Sequence, residues 1–194
     1  MAELKYHDQV DIENSKKLRV LLEKLPRFCR DFFRGIESTT SSRTRIAYAY
    51  DLGVFFEFLK NCNPLVKDTP IANLSVDILD QLTPLDIEEY LEYLNYYRSE
   101  DKEYVNRETG KKRKLVSLRS FYNYFYKKQI IKTNPASLVS IPKLHEKEII
   151  RLEPDEVALL LDEVEKPESL TKVQKKFHEK TKVRDLALIT LLLG

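Results

Sequence analysis

Leu115, Leu118, Phe121, Tyr122 and Phe125 recur at i, i+3, i+6, i+7 and i+10. That spacing is one face of a helix turned into a core. Four consecutive cations, Lys111, Lys112, Arg113 and Lys114, open the same segment. Arg119, Lys127, Lys128 and Lys132 lie off the apolar stripe, on faces free to meet something else. From Arg107 to Arg151 there are twelve Lys or Arg and only three anions, Glu108, Glu146 and Glu148. Such a block suits a polyanionic partner. A merely solvated cationic face has the same composition, so charge alone leaves the two readings level.

The net charge of +2 conceals this asymmetry. Between Ala72 and Glu103 the excess is acidic, with Asp77, Asp80, Asp86, Glu88, Glu89, Glu92, Glu100, Asp101 and Glu103 against Arg98 and Lys102. A chain polarised in this way can offer one face to a polyanion. With only 4 glycines in 194 residues and 42% hydrophobic residues, a mostly helical globular protein of one or two domains is expected. The N-terminal residues lack the apolar core of a secretory signal, and no apolar run approaches the ~18 residues of a membrane span. A cytoplasmic protein is expected, with Cys29 and Cys62 reduced and at least partly buried. His7, His145 and His178 are scattered without ligand spacing, so neither a metal nor another cofactor is expected.

Along the chain, a first helical segment covers roughly residues 13–36, broken at Pro26 and stopped by Gly35. Ser41 or Ser42 can cap a second, central helix, whose apolar face is Ile46, Tyr48, Leu52, Phe55, Phe56 and Leu59. Gly53 within it suggests close helix packing. Arg43 and Arg45 occupy its first turn, where cations oppose the helix dipole. That placement makes sense if the helix end faces phosphates, with free backbone N–H groups and both guanidinium groups acting together. Residues 63–75 read as a loop and 76–81 as a short helix. Thr83-Pro84-Leu85-Asp86 is a helix start, and that helix is expected to run to about Arg98. A polar loop over 101–110 leads into the basic helix. Its tyrosine-rich predecessor (Tyr93, Tyr96, Tyr97) reads as packing rather than base stacking. After Asn134-Pro135 and Ile141-Pro142, residues 143–150 read as a boundary. A helix from Glu153-Pro154, a charged helix over 171–182 and a buried apolar helix over 183–193 are expected to follow. Residues 151–194 are too few for an ordinary domain, so the chain reads as cut.

These residues resemble the tyrosine recombinases, the integrases and Xer-type resolvases. The likeness rests on Ser42, Thr44, Tyr48, Asp51-Leu52, Phe55 and Phe58-Leu59; on Leu82-Thr83, Asp86-Ile87 and Tyr90-Leu91; and on Lys114 through Tyr122 with Asn134-Pro135-Ala136 and Pro142-Lys143. Arg151 through Val157 and Arg184-Asp185-Leu186-Ala187-Leu188-Ile189 resemble the opening of the catalytic domain. The resemblance implies an all-α fold, a SAM-like orthogonal helical bundle (the core-binding domain) followed by the first helices of a truncated catalytic domain. The expected organisation is 1–39 as an N-terminal helical segment joined to the bundle, 40–143 as the core-binding domain, 144–150 as linker and 151–194 as the truncated catalytic start. It also implies double-stranded DNA at a recombination site as partner, and strand cleavage through a phosphotyrosine without metal or cofactor. Full-length members act as tetramers on paired sites; the 194 residues alone are expected to be monomeric.

The expected DNA contacts are Ser42, Arg43, Thr44, Arg45, Lys111, Lys112, Arg113, Lys114, Arg119 and Lys132. No catalytic residue is carried over. All eleven tyrosines fall at or before Tyr126, and none stands where the nucleophile of the family would. The 194 residues are therefore expected to bind DNA without cutting it. Two alternatives stay open: a helical protein-interaction module with a solvated lysine cluster, and a short regulator that occupies recombination sites.

Overall fold

The computed structural model describes residues 5–99, 101–143 and 151–193. The chain divides into two compact units, 1–144 and 145–194. The expected linker 144–150 lies outside the described residues.

The first unit is helical: α1 (Tyr6–Glu23), α2 (Cys29–Gly35), α3 (Ser42–Cys62), α4 (Ile78–Gln81), α5 (Pro84–Tyr93), α6 (Glu108–Lys127) and α7 (Pro135–Leu138). A short hairpin, β1 (Tyr97–Ser99) and β2 (Lys102–Tyr104), separates α5 from α6. The break at Pro26 is present, but α1 begins earlier than the apolar pattern signals, at Tyr6. Its residues Leu18, Leu21 and Leu22 pack on the core without any being fully buried.

The centre is aromatic. Phe32, Phe55, Phe56, Phe121 and Phe125 are almost wholly buried, and Phe32 and Phe121 meet edge-to-face with centroids 5.2 Å apart. The stripe Leu115, Leu118, Phe121, Tyr122 and Phe125 is buried as its spacing requires. α3 contributes Leu52, Phe55, Phe56 and Leu59 to the same core. Ser41 caps α3, its Oγ accepting the Thr44 N–H at 3.1 Å. At α5, Thr83 Oγ1 accepts the Asp86 N–H, and the Asp86 carboxylate accepts the Thr83 N–H at 2.7 Å. This reciprocal box fixes the start of α5 where the Thr-Pro signal places it.

The helix expected to reach Arg98 stops at Tyr93; the end of that stretch forms β1, and the expected polar loop over 101–110 carries β2. Tertiary stacking overrides helical continuation here. The Tyr93, Tyr97 and Tyr104 rings lie in series at 5.3 and 5.1 Å, and Asp101 takes the left-handed conformation (φ 61) that the turn needs. α6 starts at Glu108, so Gly110 lies inside its first turn rather than ahead of it. Cys29 is buried and Cys62, expected to be partly buried, is exposed; both are free thiols.

Two glycines act in ways the sequence does not show. α2 ends at Gly35 as expected, but Gly35 keeps an ordinary negative φ, so the stop is not a left-handed cap. A Cβ there would fall 2.2 Å from the Tyr124 ring. Gly53 has nothing within 4 Å of its would-be Cβ, so it serves no close packing, and it borders a cavity of about 470 Å³. Opposite effects follow. Gly53→Ala is expected to raise stability by about 0.5–1 kcal/mol. Gly35→Ala is expected to lower it by about 1–2 kcal/mol, because the half-buried Tyr124 must give way. Urea unfolding of both variants measures the difference.

The second unit pairs α8 (Pro154–Glu165) with α9 (Lys172–Leu193). Glu156 accepts the Glu153 N–H at 2.9 Å at the start of α8. α9 is one continuous helix, where two were expected. No residue of it is buried within the described residues; Leu191 and Leu192 are 79% and 85% exposed. A helix apolar nearly all round can cover only one side against a single neighbour.

Candidate nucleic-acid interface

At 100° per residue, the two faces of α6 separate cleanly. Leu118, Phe121 and Phe125 point inward. Thr109, Lys112, Val116, Ser120, Asn123 and Lys127 lie within about 40° of Val116 on the opposite face. Arg113 and Arg119 flank that face at about 60° on either side. The side chains of Lys111, Lys112, Ser120 and Lys127 make no hydrogen bond or ion pair with the described residues.

The expected contact residues divide by what they touch. Lys114 is turned inward: it is only 7% exposed, sits one turn before Leu118, and donates to Asn106 Oδ1 at 3.1 Å. Asp51 of α3 receives both neighbouring cations, Arg113 Nη1 at 2.6 Å and Lys114 Nζ at 3.9 Å, and also accepts the Ser117 hydroxyl at 2.7 Å. Burial pushes the Asp51 carboxyl up, partly offset by Ser117 and Arg113. Burial likewise pushes the Lys114 ammonium down, partly offset by Asp51. Arg113 differs from Lys114 because its side chain is half exposed, so its guanidinium stands at the surface with one edge held by Asp51.

Arg119 is committed within the fold. Its Nε donates to the Ala136 carbonyl at 2.9 Å and its Nη2 to the Val139 carbonyl, tying α7 and the residue after it to α6. At the start of α3, Ser42 donates to Asp11 at 2.7 Å and accepts from Asn14 at 2.9 Å, docking α1. Arg45 pairs with Glu37 at 3.2 Å and is largely covered. Thr44 shares a hydrogen bond with Ser41 at 2.9 Å. Arg43 is exposed and makes no ion pair with the described residues. Lys132 is exposed, and its backbone N–H joins the Thr133 N–H and hydroxyl in donating to Asp80 at 2.8, 2.8 and 3.0 Å.

The site that remains accessible thus consists of Arg43 on α3, Lys111, Lys112, Arg113 and Lys127 on α6, and Lys132 beyond it. The uncharged residues between the α6 lysines are not among the contacts expected from the sequence. Their signal was available: the positions opposite the apolar stripe are small or polar. Among the described residues no group of three or more His, Cys, Asp or Glu could hold a metal ion. No helix among them is long and apolar enough to cross a membrane.

The Asp80 anchor makes a pH prediction. Burial alone would raise its carboxyl, but the Thr133 and Lys132 hydrogen bonds outweigh it and hold the group below the usual carboxylate value. A depressed carboxylate contributes stability that is present above its unfolded value and lost as pH falls through the folded one. Asp80→Asn is expected to flatten the acid limb of the stability profile below about pH 4. Thermal melts across that range measure it.

Comparison with known proteins decides the family. The chain is 35% identical over 161 residues to a tyrosine recombinase XerC of Caldanaerobacter subterraneus subsp. tengcongensis, covering 79% of this chain and 40% of that protein. It is 35% identical over 109 residues to the XerC of Leptospira interrogans (serovar copenhageni), covering 56% and 29%. It is 30% identical over 125 residues to that of Anoxybacillus flavithermus, covering 64% and 35%. The chain belongs to the tyrosine recombinase family. It spans at most 40% of the length of these three recombinases. No family model and no solved structure matches it. The largely helical fold, with its two short strands, is consistent with the all-α bundle expected of a recombinase N-terminal region.

Proposed function

We propose that this chain is the duplex-gripping part of a site-specific tyrosine recombinase. Residues 40–143 form the DNA-binding domain, with 1–39 joined to it, 144–150 as the link and 151–194 as the start of the catalytic domain. The observation that carries the reading is the exposed face of α6: its lysines have no partner among the described residues, and its opposite face is core. Arg113, held at the surface by Asp51, adds a fixed guanidinium suited to a phosphate. In the whole protein, four copies would act on paired sites in the cytoplasm, with cleavage through a phosphotyrosine.

The 194 residues themselves hold DNA without cutting. Tyr90 and Tyr122 are buried, and burial raises both phenols well above their ordinary value, away from the ionised nucleophile. Tyr93, Tyr97 and Tyr104 are locked in the stack beside the hairpin.

Fluorescence anisotropy with a labelled mixed-sequence duplex tests the reading at several salt concentrations. Micromolar or tighter binding at low salt, weakening steeply as salt rises, is expected. Absence of binding at low salt, or binding indifferent to salt, would favour a protein-interaction module. A covalent protein–DNA adduct on a nicked duplex would overturn the non-cutting part alone.

A further inference from the structure

The uncharged middle of the exposed α6 face raises a question that the cations do not answer. From Lys112 to Lys127 the helix is about 22 Å long, the length of roughly six base pairs. Between these lysines stand Val116, Ser120 and Asn123: one branched apolar group, one hydroxyl and one carboxamide. Val116 is 43% exposed although alternatives for burial lie one position away, and Ser120 has no polar partner among the described residues.

Asn123 is oriented. Asn134 caps α7, its Oδ1 accepting the Ser137 N–H at 3.2 Å, so the Asn134 amide nitrogen must be the end that meets Asn123. That nitrogen donates to Asn123 Oδ1 at 2.8 Å. The Asn123 Nδ2 is left as a donor, with its amide plane fixed from behind. An asparagine braced in this way has a hydrogen-bonding direction as well as a capacity.

From this geometry we infer that Val116, Ser120 and Asn123 are specificity-determining residues that read base edges in the major groove, while Lys112 and Lys127 hold the bounding phosphates. The inference rests on the DNA-binding reading above. A helix with its side chains matches the roughly 12 Å major groove, and each group has a natural counterpart there. A branched apolar group contacts a thymine methyl; a hydroxyl can donate or accept; an outward amide N–H₂ meets a purine N7, a guanine O6 or a thymine O4. Between Lys112 and Lys127 the centre of the face carries no aromatic or arginine anchor of the kind typical of a protein hot spot; the arginines stand only on its flanks.

The test selects duplexes from a random-sequence library with the 194-residue chain and with Asn123→Ala, Val116→Ala and Ser120→Ala, each checked for folding by circular dichroism. Selection of a short motif by the unaltered chain is expected. Asn123→Ala should relax the preference at one base position by roughly tenfold, and Val116→Ala should relax a preference for thymine at another. The salt dependence should stay unchanged, because no phosphate contact is removed. Identical base preferences in all three folded variants would overturn the inference while leaving DNA binding intact. Failure of the unaltered chain to bind any duplex at low salt would overturn the DNA-binding reading as well.

Discussion

Replacing Asp51 with alanine is expected to lower the stability of the first unit by about 3 kcal/mol, the lower end of what breaking a buried ion pair costs. Asp51 is 2% exposed and accepts from Arg113 and Ser117, with Lys114 beside it. Removing it leaves Lys114 as a buried ammonium held only by Asn106. The lower end applies because Arg113 is half exposed and can turn to water, and Ser117 keeps its bond to the Arg113 carbonyl at 3.1 Å. Asp51→Asn keeps the shape and a hydrogen-bond acceptor, so about 2 kcal/mol is expected. Adding Lys114→Met to Asp51→Asn should recover part of that loss, since the stranded charge is gone. Urea unfolding reads all three; a loss below ~1 kcal/mol for Asp51→Ala would mean that the cluster does not hold α3 to α6. The pH sign is opposite to that of Asp80. A carboxyl raised above its unfolded value makes the folded state take up a proton more readily. Its contribution therefore declines as pH rises from the ordinary carboxylate value through the raised one, and Asp51→Asn removes that limb.

Asp51 also shows why the interface was only half legible in the sequence. Periodicity finds the buried side of α6, because hydrophobic spacing is a local property of one helix. The direction of a charged side chain is not local. Lys114 stands in a run of four cations, yet its angular position puts it over the core, and its partner Asn106 and the carboxylate near it come from outside α6. Arg119 looks like a further phosphate ligand until the carbonyls of Ala136 and Val139 are seen to occupy it. The hairpin was hidden for the same reason. Residues 93–98 carry a helical pattern, and only a ring from Tyr104, across the turn, draws Tyr97 out of it. Caps, by contrast, were readable at Ser41 and Thr83, since a cap is completed within four residues. The uncharged readers on α6 were visible only as what the stripe omits.

The largest functional effect should come from the lysines that remain free. Lys112→Ala, Lys127→Ala and Lys132→Ala together remove one half-buried and two exposed cations, none of them part of the core. If each holds one phosphate, the slope of log affinity against log salt should fall in magnitude by about 2.7, at roughly 0.9 per contact. Each charge-assisted contact carries on the order of 1 kcal/mol when exposed, so affinity at low salt should drop roughly a hundredfold. Stability should change little, because none of the three side chains makes a hydrogen bond in the fold. The Lys132 charge adds only a minor, solvent-screened attraction to Asp80, which keeps its three hydrogen bonds. Arg119→Ala supplies the contrast. Its guanidinium is bound to the Ala136 and Val139 carbonyls, so losing it should loosen α7 and the residue after it and lower stability while leaving the salt slope nearly intact. Anisotropy titrations over a salt series, paired with unfolding curves, separate the two behaviours. Equal slopes for the triple lysine variant and the unaltered chain would move the duplex off this face of α6. A shallower slope for Arg119→Ala would show that its charge reaches phosphate despite its internal bonds.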